Sequence, residues 1–154
     1  MQKQVNGLKD IYALLSNERK IGGIIETQFI RLRSGEEYKN AVITNVDMLG
    51  STFYSLGFAT SDGQHMIINV SEISVISAPV HKKIVDAHNL IYKKTKTAEK
   101  LKYLKRLYEV NEGSYTTIFL EEAKLIIDDI GYEAAKEHVD VSFITPPKKV
   151  YSIA

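Results

Sequence analysis

The chain has 154 residues, of which 44% are hydrophobic and 25% charged, and its net charge is +1. These values exclude an intrinsically disordered chain and predict one domain, or one small domain with an appendage. Cysteine is absent, which excludes disulfides, cysteine-ligated zinc and thiol nucleophiles, and fits a reducing cytoplasm. Because no run approaches about 18 apolar residues and no signal-peptide region is present, we expect a cytoplasmic protein without a membrane segment.

The first part of the chain predicts a short amphipathic helix over residues 3–17. Val5, Leu8, Tyr12 and Leu15 fall on one face of a helical repeat. A pair of glycines at positions 22 and 23 then separates this helix from the next segment.

From Ile24 to Ile76 the hydrophobic period changes to two, which predicts β-strands. Turn residues divide five β-branched and aromatic runs, at 24–33, 37–46, 52–60, 65–70 and 73–77. Asp62-Gly63 predicts a tight turn, and Gly57 predicts a bulge or bend inside the third run. Five strands within about 55 residues favour a small, strongly bent barrel.

After Pro79 the period becomes helical again. One apolar face extends from Val80 to Asn111, with an interruption near Thr95 and with Thr97 as a candidate cap of a second helix. The pattern then predicts a helix over about residues 117–130 that stops at Gly131, and a short helix over 132–139. The remaining residues predict short extended pieces around two prolines.

Charge is distributed unevenly along the chain. Residues 1–79 carry a net charge of −1, whereas residues 80–112 hold nine Lys and Arg against four Asp and Glu, a net +5. Residues 113–147 hold two against seven, a net −5. Such neighbouring blocks either pair with each other, within or between subunits, or attract charged ligands and partners.

Two segments of the strand-rich part follow motifs of a known family. The stretch LRSGEEYKNAVITNVD, residues 32–47, has an apolar residue, a turn Gly35, the aromatic Tyr38 and a final Asp47. It resembles the first motif of the Sm-like small barrels, the group of Sm, archaeal Sm-like and Hfq proteins, and IINVSEISVI at 67–76 is similar to the second motif. The resemblance covers residues 3–79 and implies a barrel that assembles edge to edge and binds RNA.

The resemblance also implies a ligand site in the barrel loops. Asp47, Met48 and Asn69 map to the two loops that would line the central pore of a ring. Asp47 can accept hydrogen bonds from a base edge, and Asn69 can both donate and accept. Alternatively, Asp47 forms an Asx turn.

Basic residues supply further binding candidates. Arg31 and Arg33 alternate to the same side of the first strand, where they contact phosphates or form a solvated face. The segment YKKTKTAEKLKYLKRLY, residues 92–108, interleaves cations with tyrosines, and we take Lys100, Tyr103 and Arg106 from it as ligand contacts. The alternatives are that these lysines cover an apolar stripe or dock to an acidic protein.

Catalytic patterns are absent from the sequence. The four histidines have no metal-binding spacing, and no nucleotide-binding loop or nucleophile motif occurs. The acidic pairs Glu121-Glu122 and Asp128-Asp129 are typical of a solvated helix face. We therefore predict no enzymatic activity, no metal and no cofactor.

Together these features predict an α+β protein in two parts. Residues 1–79 form an N-terminal helix plus a five-stranded Sm-like or SH3-like small barrel, and residues 80–154 form a helical C-terminal extension with a short extended tail. The leading hypothesis is non-catalytic binding of RNA or a small nucleotide-like anionic ligand by a homo-oligomer. The alternative is a protein-interaction or inhibitor module that uses the charge-segregated C-terminal helices.

Overall fold

A computed structural model describes residues 2–143, which form a mixed α+β fold. The strands are β1 (Lys3–Gln4), β2 (Ile24–Glu26), β3 (Phe29–Leu32), β4 (Glu37–Lys39), β5 (Val42–Leu49), β6 (Thr52–Ala59), β7 (His65–Asn69), β8 (Ile73–Ser77) and β9 (Val80–Lys82). The helices are α1 (Leu8–Ser16), α2 (Glu18–Ile21), α3 (Leu90–Val110), α4 (Thr117–Ile130) and α5 (Tyr132–Lys136), with 3-10 turns at Val70–Glu72 and Ile84–Asp86. Within residues 2–143, no helix is both long and apolar enough to cross a bilayer. The predicted extended pieces beyond residue 143 lie outside the described residues.

The N-terminal helix is shorter than predicted. Its first residues instead form β1, which pairs with β9, and α1 begins at Leu8. In a helix that begins there, Ile11 is buried, with 1% of its surface exposed, whereas 42% of the surface of Tyr12 is exposed. The sequence therefore placed Tyr12 on the buried face, where the structure has its neighbour Ile11.

The strands form two antiparallel sheets and not a closed barrel. The six-stranded sheet has the order β1-β9-β2-β5-β6-β7, and the three-stranded sheet has the order β4-β3-β8. The chain crosses from one sheet to the other at three kinks, because β2 continues into β3, β4 into β5 and β8 into β9. The first two kinks lie inside the predicted runs 24–33 and 37–46, and the third lies beyond the run 73–77. Two of these kinks hold non-glycine residues with a positive φ, Asn40 at 53° and Ala78 at 47°. A period of two continues through the kinks inside the runs 24–33 and 37–46, so each of these runs was predicted as one strand and forms two. The other two additional strands, β1 and β9, lie where helical segments were predicted, so the helical prediction is wrong at Lys3–Gln4 and at Val80–Lys82.

The tight turn predicted at Asp62-Gly63 is confirmed, whereas the bulge at Gly57 lies on the partner strand β5 and not inside the third run. The pairing of β5 with β6 shifts register between Ile43 and Asn45, opposite Gly57, where a Cβ atom would lie 3.3 Å from the Asn45 Cβ. At the next turn Gly63 has a φ of 91°, and the Thr60 N–H donates to the Gln64 carbonyl at 2.8 Å. Gly57 is required because a side chain would be crowded there, and Gly63 is required because its φ is positive.

The helical part agrees with prediction in α4 and differs in α3. Helix α4 occupies Thr117–Ile130, as predicted, and ends at Gly131 with a φ of 98°. Helix α3 is continuous, so the predicted cap at Thr97 is wrong. The interruption is tolerated because the Thr95 hydroxyl donates to the Ile91 carbonyl within the helix, at 3.0 Å.

Two hydrophobic clusters share the central strands. The sheet cluster lies between the sheets and α1, and it includes Ile25, Ile30, Ile43, Leu56 and Phe58. The helix cluster joins α3, α4 and α5 to the outer face of the six-stranded sheet, and it includes Ile24, Val42, Leu104, Phe119 and Ile127. Strand β2 therefore supplies one residue to each cluster, Ile24 outward and Ile25 inward, and is buried on both faces.

Candidate functional site

The carboxylate of Glu26 joins the helical part of the chain to the sheet. Glu26 ends β2 and is 2% exposed. It accepts hydrogen bonds from the N–H groups of His88 at 2.9 Å and Asn89 at 2.8 Å, and from Lys82 Nζ at 2.8 Å. Lys82 is also buried, with 4% exposed. A carboxylate is buried at low cost only when such donors surround it, so this junction depends on all of them.

These donors determine the charge of Glu26. Burial alone would raise the pKa of Glu26, but the hydrogen bonds from Lys82, Asn89 and His88, together with the Lys82 charge, lower the pKa below its ordinary value of 4.5. The carboxylate is consequently ionised at neutral pH, and Glu26 and Lys82 form a buried pair without net charge.

The imidazole of His88 is hydrogen-bonded through Nδ1, while most of its side chain is exposed to solvent. Its Nδ1 lies 3.0 Å from Glu26 Oε1 and 3.2 Å from Lys82 Nζ, while 70% of its side chain is exposed. A neutral imidazole that donates from Nδ1 to the carboxylate keeps Nε2 as a hydrogen-bond acceptor.

A cleft of about 480 Å³ opens beside this junction, where the three kinked strands change sheets. We call it the kink cleft. Its polar lining consists of Gln2, Glu26, Thr27, Gln28, Asn40, Lys82 and His88. Asn40 and Ala78, the two non-glycine residues with positive φ within residues 2–143, line it as well.

A second buried carboxylate, Asp129 of α4, joins the helices to the sheet on another side. It accepts from the N–H groups of Gly23 at 2.8 Å and Ile84 at 2.9 Å, and is 4% exposed. Its neighbour Asp128 is exposed and pairs with Lys83 at 3.0 Å. The predicted solvated acidic face therefore holds for Asp128 and is wrong for Asp129.

A basic groove of about 680 Å³ lies along α3, opposite His138. Its cations are Lys102, Lys105 and Arg106, which are spaced i, i+3 and i+4 and so lie together on the helix surface. In the part of the chain that the structure describes, none of the three forms an ion pair. Glu109 is the acidic residue of the lining, so the groove has a net positive charge.

One of the three predicted contacts of α3 lines the basic groove, and the other two contact neighbouring helices. Arg106 lines the basic groove, whereas Lys100 pairs with Glu18 at 2.9 Å. Tyr103 donates from its hydroxyl to Glu122 at 2.5 Å, and this hydrogen bond, with burial second, raises the pKa of Tyr103. Lys100 and Tyr103 thus connect α3 to neighbouring helices.

The predicted pore residues lie on strands. Asp47 sits inside β5, which continues to Leu49, so the proposed Asx turn at this residue is wrong. The strand register aligns Asp47 with Ser55 and Ser55 with Asn69, in one row across β5, β6 and β7. Met48 follows the register shift and is 37% exposed.

Two hydrogen bonds already occupy this row. Ser55 Oγ donates to Asp47 at 3.3 Å, and Asn69 Oδ1 accepts from the Ser71 N–H at 3.0 Å, which caps the 3-10 turn after β7. The structure therefore places Asp47 and Asn69 in the same row with Ser55 between them, and gives Asn69 a local structural role.

The predicted arginines lie on the three-stranded sheet. Arg31 pairs with Glu37 at 2.8 Å, and its guanidinium carbon lies 4.8 Å from the centroid of the Phe29 ring. Arg33 follows β3 and is exposed, with its N–H donating to the Glu72 carbonyl at 2.8 Å. Neither residue lines the basic groove.

The contacts predicted from the sequence left out residues of both sites. Lys102 and Lys105 of the basic groove are among the cations of residues 92–108 but were not chosen as contacts, although their spacing relative to Arg106 was a readable signal. Glu26 was not predicted as a site residue, although a carboxylate inside the apolar run IIETQFI indicates a buried polar contact.

Comparison with known proteins identifies no relative. Neither a protein-family model, nor a curated protein sequence, nor a solved structure matches this chain. Among residues 2–143, no group of three or more His, Asp or Glu side chains is arranged to hold a metal ion. The function is therefore argued from the two sites themselves.

Proposed function

We propose that the protein is a non-catalytic RNA-binding protein that holds phosphates along the basic groove. The observation that carries this proposal is the cluster of Lys102, Lys105 and Arg106, which has no ion-pair partner in the described residues. Two other α3 lysines are used in ion pairs, since Lys96 pairs with Glu99 and Lys100 with Glu18. Cations that remain unpaired at a surface attract phosphates independently of sequence.

The lining of the groove suits a flexible strand. Ala98 and Leu101 add apolar surface beside the cations, and His138 faces them. Proteins that bind single-stranded nucleic acids combine a positive groove with surfaces on which sugars and bases pack. A single-stranded RNA is thus the ligand that the groove fits best.

The test is fluorescence anisotropy with a single-stranded RNA at several salt concentrations. We expect K102E/K105E/R106E to lose most of the affinity and to reduce the salt slope by about 2, because each phosphate contact on a single strand contributes roughly 0.7. The control K9E/K20E/K39E makes the same change in net charge at exposed lysines outside the groove. Equal losses in both variants, or no binding by the unmodified protein at low salt, would contradict the proposal.

We also infer that the two sheets are the halves of an open Sm-like barrel that assembles through its edges. Support comes from the order of the five strand runs, with a 3-10 turn at Val70–Glu72 between the fourth and fifth. Among the described strands β7 pairs with β6 alone, and its Ile67 is 68% exposed. Exposed strand edges of this kind tend to pair with another chain.

Light scattering after size-exclusion chromatography tests the assembly. We expect an oligomer for the unmodified protein and smaller species for Ile67→Lys. Ile118→Lys is the control, because Ile118 is 77% exposed but lies on α4. A monomeric unmodified protein would refute edge assembly and leave the groove proposal intact.

A protein-interaction module is the second candidate. It is favoured by exposed apolar side chains around the α3–α4 connection, where Val110, Tyr115 and Ile118 are 76%, 50% and 77% exposed. In that case Ile118→Lys would abolish capture of a partner protein, whereas the charge reversals in the groove would leave capture unchanged.

A further inference from the structure

We infer that the kink cleft is a second binding site, which accepts a neutral heterocycle of the nucleobase class. The inference rests on the proposed RNA function and extends it, because it places base recognition at a site separate from phosphate binding. Asn89 precedes α3 and Lys102 lies 13 residues further along, so the cleft and the basic groove are about 20 Å apart along the helix axis.

The charges of the cleft favour a neutral ligand. Glu26 and Lys82 are 2.8 Å apart and almost completely buried, and each neutralises the other. An anionic ligand would have to displace Glu26 from Lys82, and a cationic ligand would have to displace Lys82 from Glu26. Either exchange leaves a buried charge unpaired, which is strongly unfavourable.

The cleft nevertheless offers hydrogen bonds. Within the described residues the Asn40 carboxamide has no partner, since the backbone of Asn40 makes its contacts, with Gln28 at 3.0 Å and with Asn89 at 2.9 Å. Gln28 uses its Oε1 to accept from Ser77 at 3.1 Å, which leaves its amide N–H groups as donors. Carboxamides both donate and accept in one plane, and they pair with the edges of bases for this reason.

The size and the backbone of the cleft also suit a bound ligand. A volume of about 480 Å³ lies within the usual range of small-molecule sites. Asn40 and Ala78 adopt a conformation that is unfavourable for residues with a Cβ, and such residues concentrate at binding sites. The junction of Glu26, Lys82 and Asn89 explains why the helices attach here, but it does not use the side chains of Asn40 and Gln28.

The experiment titrates the full chain with adenosine, guanosine, cytidine and uridine, followed by calorimetry or by NMR chemical shifts. These probes lack phosphate and therefore do not report on the basic groove. We expect at least one nucleoside to bind, and Asn40→Gly and His88→Ala to weaken it by roughly tenfold or more. Asn40→Gly keeps the backbone conformation accessible, and His88→Ala keeps the N–H that Glu26 accepts.

Matched controls separate loss of contacts from loss of structure. Asn45→Gly removes an exposed carboxamide on β5, outside the cleft, and His65→Ala removes an exposed histidine on β7. Both should bind the nucleoside as the unmodified protein does. Failure of every nucleoside to bind, unchanged binding by Asn40→Gly, or displacement of the nucleoside by inorganic phosphate would overturn the inference.

The outcomes also distinguish this inference from the proposed function. RNA binding that depends on the groove, without any nucleoside binding, would leave the proposed function standing and refute the base site. We expect K102E/K105E/R106E to lose RNA affinity but to bind the nucleoside normally.

Discussion

The two ends of α3 use polar side chains in opposite ways. Before the helix begins, Asn89 donates to the carbonyl of Asn40 at 2.9 Å and its N–H binds Glu26 at 2.8 Å. In the second half of the same helix, Lys102 and Lys105 face a groove without ion-pair partners in the described residues. Buried polar groups here determine the architecture, whereas exposed unpaired charges provide capacity for binding.

The largest effect should come from breaking the junction at Glu26. We expect Glu26→Gln to lower the free energy of unfolding by about 3–5 kcal/mol, because it leaves the buried Lys82 charge without its partner. Urea denaturation measures this value. In the control Glu37→Gln the pair with Arg31 is partly exposed, and the loss should be under about 1 kcal/mol. Similar losses in the two variants would show that burial does not distinguish the pairs.

The same junction should make stability depend on acidity. The pKa of Glu26 is lower in the folded protein than its ordinary value of 4.5, so its contribution is complete above that value and is lost as the pH falls through the folded pKa. We therefore expect the unmodified protein to lose stability below pH 4.5 more steeply than Glu26→Gln. Denaturation curves at a series of pH values test this, and parallel profiles would count against it.

A smaller effect should follow from changing the buried carboxylate of α4. Asp129→Asn should cost roughly 1.5–3 kcal/mol, because a neutral amide accepts more weakly from the N–H groups of Gly23 and Ile84. Asp128→Asn, at the next position, should change the free energy of unfolding by less than about 0.5 kcal/mol. Thermal or urea unfolding of the two variants measures the difference. A larger loss of stability in Asp128→Asn than in Asp129→Asn would contradict the prediction.

The smallest effect on stability should come from the basic groove. We expect K102E/K105E/R106E to unfold within about 0.5 kcal/mol of the unmodified protein, since the three side chains lie at the surface and pair with no carboxylate in the described residues. Circular dichroism during urea denaturation measures this. A large loss of stability would mean that these cations hold the helices together.

Sequence periodicity predicted most of the secondary structure because it reports which face of an element is buried. It identified α4 at Thr117–Ile130 and the runs that form β5 to β8. It did not show where a strand changes sheets, since the alternation of side chains continues across the kink at Asn40. Strand β9, beyond the kink at Ala78, was predicted as part of a helical segment. It also divided α3 at Thr97, because local propensity is a weak signal beside tertiary packing.

The two sites differ in how visible they were in the sequence. The basic groove is made by residues spaced three and four apart on one helix, and such spacing can be read directly. The kink cleft joins Glu26 to Lys82, which is 56 residues away, and Asp129 binds Gly23 across 106 residues. Contacts at these separations depend on the tertiary fold, which no local pattern contains.

The double burial of β2 has a consequence for the way the protein unfolds. Ile24 and Ile25 are neighbours, yet they belong to different hydrophobic clusters. If the helices detached, the Ile24 face of β2 would be exposed to water. If the two sheets separated, the Ile25 face would be exposed instead. We therefore expect a single cooperative transition, with circular dichroism of the helices and tyrosine fluorescence changing at the same urea concentration.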